Sequence, residues 1–265
     1  MAVIWDIFRT IDDFAPFDTQ MDFDNAGFLV GRGDSEVTKV LVALDITLPV
    51  VREAEAAGAQ LIVSHHPVIF GSVRRLTDES PEGEVLLSLA EKKIAAICAH
   101  TNLDVAVDGV NDALAKAIGL QTIRVLQPES IPDRKGRVYG LGRVGELPEA
   151  VTAVELARVV KEKLGAAGVR LTDGGRPVKR VAVGGGACGE CLKDAFRAGC
   201  DLLVTADVKY HTFLEAKARG ISLMDAGHYA TEQVVLPGLA QRLSAEHPEV
   251  EVLLSRAHKE VCICI

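Results

Sequence analysis

Residues 57–67, which read Ala-Gly-Ala-Gln-Leu-Ile-Val-Ser-His-His-Pro, contain the pattern that indicates the fold class. A glycine stops a predicted helix from Leu48 to Ala57, and the apolar run from Leu61 to Val63 then predicts a buried strand that ends at a polar cluster. The earlier run from Val40 to Leu44 predicts a neighbouring buried strand. Short strands that alternate with helices are typical of an α/β fold with mostly parallel sheets flanked by helices.

The same unit returns in the second half of the chain. Residues 198–204 read Ala-Gly-Cys-Asp-Leu-Leu-Val and align with residues 57–63, Ala-Gly-Ala-Gln-Leu-Ile-Val. A second match relates the segment from Lys93 to Asp104 with that from Gly220 to Glu232, because both place a His-x-x-x-acid motif after an apolar run. The two matches predict two similar α/β halves related by an internal repeat.

The join between the halves is expected near residues 127–136, a stretch rich in proline, glycine and charge that is typical of a linker. The expected halves are therefore residues 1–126 and 127–265. The C-terminal segment, 250–265, could pack on its own half or return to the first, and both arrangements agree with the sequence.

Composition and charge narrow the functional classes. The 265-residue chain has a net charge of −8, whereas a general nucleic-acid binder would show a basic excess. No apolar run approaches the roughly 18 residues that cross a membrane, and the first residues lack the basic and apolar regions of a signal peptide. Without such a signal, the six cysteines are better interpreted as free thiols than as a disulfide framework. We expect a cytoplasmic protein with neither membrane nor nucleic-acid partners.

Three predicted strands end at polar clusters, the location where α/β folds gather functional groups. The clusters contain His65 and His66, His100 and Asp104, and His228 and Glu232. The four-residue spacing of His228 and Glu232 places both on one face of a helix, as in helical zinc motifs. A single buried histidine is more often a hydrogen-bonded core residue, but several imidazoles and acids at matching strand ends favour a metal site between the halves.

The residue types and their spacing predict two divalent ions in each subunit. Because neighbouring residues of an extended strand point to opposite faces, His65 and His66 are expected to serve different ions, and Pro67 favours the extended conformation. Glu232 is the candidate bridge, since one carboxylate can span two ions about 4 Å apart. Three imidazoles and two carboxylates suit zinc, iron, manganese, cobalt or nickel. The predicted ligands are His65, His66, Asp104, His228 and Glu232.

A second motif in the later half allows other interpretations. Gly184, Gly186 and Gly189 match the spacing of a dinucleotide-binding fingerprint after a predicted strand. Because this motif does not open the fold, we favour a backbone loop that approaches a substrate or phosphate over a nicotinamide or flavin site. Cys188 and Cys191 overlap the loop, and no second cysteine pair stands at a useful spacing, so structural cysteines are expected.

Several motifs together resemble one known family. They are Ser64-His65-His66-Pro67, His100-Thr101-Asn102-Leu103-Asp104, Gly109-Val110-Asn111-Asp112, Asp225-Ala226-Gly227-His228-Tyr229-Ala230-Thr231-Glu232, Asp24-Asn25-Ala26-Gly27 and Lys209-Tyr210-His211. The chain resembles the Nif-three-like family of GTP cyclohydrolase I type 2 homologues over most of its length. It differs in Phe23, where the family often has Trp, in Ala206, where Gly is common, and in having no additional domain between the halves.

The resemblance implies a toroidal homohexamer, a trimer of dimers, whose dinuclear metal centres face the inside of the ring. Position by position, it implies one ion on His66 and Asp104, a second on His65 and His228, and Glu232 as the bridge. The ligand set is the one that the strand-end clusters predict.

The expected activity is hydrolysis of a small molecule, and the resemblance suggests a purine nucleotide, with GTP ring opening and release of formate. His100, beside the predicted ligand Asp104 but outside the ligand set, is the candidate general acid or base, and orienting a ligand is its alternative role. Lys209, Tyr210 and His211 could contact an anionic substrate or form a structural lid. The competing hypothesis is a non-catalytic metal-binding, metal-delivery or scaffold protein that forms a hexameric ring.

Overall fold

The computed structural model describes all 265 residues and divides into two compact units. Unit 1 comprises Met1–Leu103 and Leu236–Lys259, and unit 2 comprises Asp104–Val235 and Glu260–Ile265. The first boundary thus lies earlier in the chain than residue 126, where the sequence predicts it. The reason is that the helix Val110–Ala117 contacts the sheet of unit 2.

Unit 1 is built on a five-stranded sheet and a separate two-stranded pair. The strands of the sheet are β2 (Gly27–Val30), β4 (Lys39–Ala43), β5 (Leu61–Ser64), β6 (Ala95–Cys98) and β13 (Glu251–Leu254), and the pair is β1 (Ala2–Val3) with β3 (Glu36–Val37). The order in the sheet is β13-β4-β5-β6-β2, in which β13, β4, β5 and β6 are parallel and β2 is antiparallel to β6. The helices are α1 (Ile4–Phe14), α2 (Leu48–Ala57), α3 (Pro81–Glu91) and α10 (Leu236–Glu246).

The structure confirms the predicted strand–helix–strand pattern of unit 1. Helix α2 has the predicted bounds and ends at Gly58, whose φ of 69° lies in the left-handed region that glycine adopts without a steric penalty. Val50, Val51 and Ala54 of α2 pack into a core with Ile62 of β5. Strand β13 pairs with β4, so the chain returns to unit 1 from Leu236 to Lys259, whereas the last six residues belong to unit 2.

Unit 2 is built on a six-stranded mixed sheet. The strands are β7 (Gln121–Pro128), β8 (Gly140–Val151), β9 (Arg170–Thr172), β10 (Val178–Val183), β11 (Leu202–Thr205) and β12 (Ser222–Asp225). Their order in the sheet is β7-β8-β10-β11-β12-β9, in which β10, β11 and β12 are parallel and the remaining three pairings are antiparallel. The helices are α5 (Val110–Ala117), α6 (Ala153–Leu164), α7 (Leu192–Arg197), α8 (Tyr210–Arg219) and α9 (His228–Glu232), and α4 (Thr101–Val105) joins the two units along the chain.

The internal repeat is visible as a shared strand order. In unit 1, β4, β5 and β6 are parallel and β2 is antiparallel beside β6; in unit 2, β10, β11 and β12 are parallel and β9 is antiparallel beside β12. The linker predicted at residues 127–136 is wrong, because these residues belong to the antiparallel β7–β8 hairpin of unit 2. None of the helices combines the length and hydropathy needed to cross a lipid bilayer.

Candidate metal centre

Three imidazole side chains gather at the carboxyl ends of two neighbouring strands of unit 1. His65 and His66 follow β5, and His100 follows β6. One ring nitrogen from each lies within 4.8 Å of the others, and the ring centroids are 5.0 to 5.6 Å apart. His65 is completely buried, whereas His66 and His100 are partly exposed. The cluster therefore offers up to three imidazole ligands within unit 1.

His65 and His66 do not point to opposite faces as they would in an extended strand, because their ring centroids lie only 5.0 Å apart. Strand β5 ends at Ser64 and the chain bends at the two histidines, so the alternation of side chains ends with the strand. The Ser64 hydroxyl donates to the His66 carbonyl oxygen at 2.7 Å and supports the bend. Because of this bend, both imidazoles reach the same small region.

The three histidines of unit 1 and His228 of unit 2 share one hydrogen-bonding arrangement. Nδ1 of His65 lies 2.8 Å from the carbonyl oxygen of Ala99. Nδ1 of each of the other three histidines lies 2.7 Å from a carboxylate oxygen. The pairs are His66 with Asp45, His100 with Asp24, and His228 with Asp207. Carbonyls and carboxylates only accept, so Nδ1 carries a proton in each ring, and in the neutral form of the ring Nε2 is then the electron-pair donor. Metal-ligating histidines adopt this arrangement, because the outer hydrogen bond fixes both tautomer and ring orientation.

Unit 2 contains an imidazole and two buried carboxylates that lie close together. Helix α9 places His228 and Glu232 on one face as predicted, with 3.1 Å between His228 Nε2 and Glu232 Oε2. A carboxylate oxygen of Asp104 lies within 4.8 Å of one from Glu232. Asp104 is 9% exposed and Glu232 is 3% exposed. Two adjacent buried carboxylates repel each other, and a bound cation would offset this cost, so the donor set fits a divalent metal ion.

Two residues of unit 2 hold the segment that carries Asp104. Asn111 is fully buried; its side-chain amide donates to the Asp104 carbonyl oxygen and its Oδ1 accepts from the Gly185 amide, both at 2.9 Å. The buried Arg143 donates to carbonyls of the two residues after Asp104 and lies 2.8 Å from the Asp112 carboxylate. The motif that contains Asn111 and Asp112 was visible in the sequence, but no sequence pattern indicates Arg143.

The glycine-rich loop after β10 does not offer its amides to a phosphate. The amide of Gly184 donates to the Val204 carbonyl at 2.9 Å, and that of Gly186 donates to the Thr231 hydroxyl at 3.0 Å. The amide of Gly185 is bonded to Asn111. The amides of these three glycines are therefore used within the protein.

The cysteines beside this loop have the character of structural residues. Cys188 and Cys191 are both buried. A hydrogen bond with Cys191, together with burial, raises the pKa of Cys188 well above that of an ordinary thiol. Because the thiolate is the reactive form, this environment disfavours redox and nucleophilic chemistry at Cys188.

Most of the carboxylates that accept hydrogen bonds from these histidines had no role predicted from the sequence. Burial alone would raise the pKa of Asp24, but hydrogen bonds from His100 and Thr101 outweigh it and lower that pKa to about 2. Burial alone would also raise the pKa of Asp45, but its hydrogen bonds with His258 and His66 outweigh burial and hold that pKa well below its usual range. Asp24 stands in a quoted motif, whereas no local pattern singles out Asp45 or its contact with His258.

The Lys209, Tyr210 and His211 segment lies at the start of α8, and all three residues are exposed. Their side chains therefore face solvent in this structure. No contact between these three side chains and the candidate ligands of unit 2 supports either expected role, substrate contact or structural lid.

Comparisons with known proteins agree with this architecture. The model of the Duf34/NIF3 (NGG1p interacting factor 3) family matches residues 2–260. A Streptomyces coelicolor protein named GTP cyclohydrolase 1 type 2 homolog is 39% identical over 237 residues, 88% of this chain and 82% of that protein. A Clostridium perfringens protein of the same name is 32% identical over 257 residues, 96% of this chain and 97% of that protein.

Solved structures show the same fold. A hypothetical protein from Staphylococcus aureus superimposes with a TM-score of 0.93 at 32% identity and covers 99% of both chains. A Bacillus cereus protein related to NIF3 gives a TM-score of 0.93 at 25% identity and covers 100% of this chain and 99% of that chain. The family that the sequence motifs resemble is thereby confirmed: the chain belongs to the Duf34/NIF3 (NGG1p interacting factor 3) family.

Proposed function

We propose that this protein is a metal-dependent hydrolase with two divalent ions held by His65, His66, Asp104, His228 and Glu232. The observation that carries the proposal is the shared arrangement of the imidazoles, each with Nδ1 held by an oxygen acceptor at 2.7 or 2.8 Å, as in histidines whose Nε2 binds a metal. The adjacent buried carboxylates of unit 2 support it, because a cation would offset their repulsion. Zinc, iron, manganese, cobalt and nickel all suit this donor set.

Such ions would lower the pKa of bound water and polarise the atom under attack. The chain's own contribution to proton transfer is His100. Its Nδ1 is held by Asp24, whose pKa of about 2 keeps it ionised at neutral pH and able to stabilise a protonated imidazole. In the proposed reaction His100 Nε2 accepts a proton from the attacking water and returns it to the leaving group.

We propose a small-molecule substrate of the purine nucleotide class, with GTP as the first candidate. The support is the name GTP cyclohydrolase 1 type 2 homolog carried by the relatives. The corresponding reaction would open the imidazole ring of the purine and release formate. We also propose that the chain assembles as a homohexamer, a trimer of dimers, as the motif resemblance implies.

The first experiment measures metal content. Protein stripped with a chelator and reloaded with each candidate metal should bind two ions per chain by elemental mass spectrometry. Glu232→Gln should bind fewer, whereas the matched control Glu246→Gln, an exposed carboxylate on α10, should bind the wild-type amount. A wild-type chain that retains no metal under any loading condition would refute the metal centre.

The second experiment tests the chemistry. Loaded protein is incubated with GTP, and formate and pteridine products are followed over time. Turnover that disappears in Glu232→Gln and persists in Glu246→Gln would support a hydrolase. Full metal loading with no turnover under any candidate metal would favour the non-catalytic metal-binding, metal-delivery or scaffold role. Gel filtration of the same samples measures the assembly.

A further inference from the structure

Gly186 lies directly against the carboxylate of Glu232. A Cβ atom built on Gly186 would lie 2.1 Å from Glu232 Oε1, 3.1 Å from its Cδ and 3.2 Å from His228 Nε2. Real Cβ atoms essentially never approach another heavy atom closer than 3.0 Å. The space that a side chain at position 186 would need is therefore the space that the Glu232 carboxylate occupies.

The backbone around Gly186 is fixed on both sides. Its amide donates to the Thr231 hydroxyl at 3.0 Å, and its carbonyl accepts from the amides of Ala206 at 2.8 Å and Cys188 at 3.0 Å. Its φ of +61° lies in the left-handed region. A side chain at this position would therefore displace Glu232 more easily than it would displace the loop.

We propose that Gly186 is a positioning residue of the metal centre, whose missing side chain keeps open the place from which Glu232 reaches its ion. This inference rests on the proposed metal centre. It also gives the glycine-rich motif a different role from the one that its spacing suggests. In a dinucleotide fingerprint a glycine lets the backbone approach a pyrophosphate, whereas here it lets the backbone approach a carboxylate of the protein itself.

Gly186→Ala tests the proposal with cobalt(II) as the probe. The variant should fold, because the colliding atom is the end of a flexible side chain. Its cobalt(II) affinity should fall about 10- to 100-fold, the range seen when residues that orient metal ligands are changed. Isothermal titration gives the affinity and stoichiometry, and the visible absorption spectrum of cobalt(II) reports the changed ligand geometry without any assay of activity.

Gly165→Ala is the matched control. Gly165 has a φ of +63°, and a Cβ there would meet nothing within 4 Å, so the substitution reproduces the backbone strain without the collision. This variant should bind cobalt(II) with the wild-type affinity and spectrum. If Gly186→Ala also binds as the wild type does, or if both variants lose the metal equally, the proposal is overturned.

A double-mutant cycle in metal-free protein keeps the inference testable if Gly186→Ala folds poorly. The substitution is made in the wild-type chain and in a Glu232→Ala background, and thermal unfolding is measured for all four proteins. A smaller loss of melting temperature in the Glu232→Ala background supports the collision. Equal losses in the two backgrounds overturn the proposal. Because the cycle needs no metal, failure of wild type to bind cobalt(II) would count against the proposed function alone.

Discussion

Replacing Asn111 with alanine removes the amide that joins the two segments next to the buried carboxylates of unit 2. The Asn111 side chain makes two hydrogen bonds of 2.9 Å, donating to the Asp104 carbonyl and accepting from the Gly185 amide. The residue is fully buried, so bulk water does not replace either bond in the native state. The substitution therefore leaves one acceptor and one donor unsatisfied inside the protein.

The expected loss of stability follows from the two unsatisfied groups, the Asp104 carbonyl and the Gly185 amide. Each buried polar group left without its partner costs about 1–3 kcal/mol, so the free energy of unfolding should fall by about 2–6 kcal/mol. Typical proteins unfold with about 5–15 kcal/mol, so the loss should be plain in urea denaturation followed by circular dichroism. Hydrogen exchange at the Gly185 amide should accelerate, and metal affinity should fall about 10- to 100-fold because the Asp104 backbone is no longer fixed.

Ser222→Ala is the matched control, because it removes a buried hydrogen bond that does not involve the Asp104 segment. Ser222 is fully buried in β12 and accepts a single hydrogen bond, from the Gly174 amide at 3.0 Å. Its loss should cost about 1–3 kcal/mol and leave metal affinity unchanged. The reasoning would be refuted if Asn111→Ala were no more destabilising than Ser222→Ala, or if both variants weakened metal binding equally.

Further predictions concern the polar groups around the site. Asp207→Asn should weaken metal binding about 10- to 100-fold by titration calorimetry, because the imidazole that it orients loses a charged partner. The lowered pKa of Asp24 stabilises the fold above the ordinary carboxyl pKa, and that contribution disappears as the pH falls towards 2. Asp24→Asn should therefore lower the melting temperature at pH 7 but have little effect near pH 2. His100→Gln should retain both ions in elemental analysis and reduce any GTP turnover about 10²- to 10⁴-fold. Alkylation of the folded protein followed by mass spectrometry should modify Cys262 and Cys264, which are exposed, and spare the four buried cysteines.

The elements that sequence patterns predict well are those whose signal is local. The bounds of α2 were predictable because its apolar periodicity ends at Gly58, a residue suited to a left-handed helix end. The hairpin between β7 and β8 was not, because a hairpin turn and a linker share the same enrichment in proline, glycine and charge. The boundary at Leu103 depends on tertiary contacts of α5, which no local pattern encodes.

Some residues of the candidate site were likewise predictable from local patterns, and others were not. His65 and His66 were identifiable because they follow a recognisable strand, but their relative direction depends on a bend that begins where that strand ends. Asp45 holds His66 across 21 positions of sequence, and Arg143 reaches the residues after Asp104 across 37 and 38. Such pairings arise from sheet order, so the sequence identifies the imidazoles and leaves their partners unassigned.

Each unit has a histidine, His100 or His228, whose Nδ1 is held by an aspartate, yet the two aspartates differ in their surroundings. The Asp24 side chain, beside His100, is completely buried, whereas 57% of the Asp207 side chain beside His228 is exposed. A carboxylate in a low-dielectric environment stabilises a neighbouring positive charge more strongly than one screened by water. Asp24 is therefore the less screened of the two aspartates. His228 keeps the hydrogen bond that orients its ring, with a partner that is screened by water. This difference in burial supports the proposed division of roles, with proton transfer at His100 and metal binding at His228.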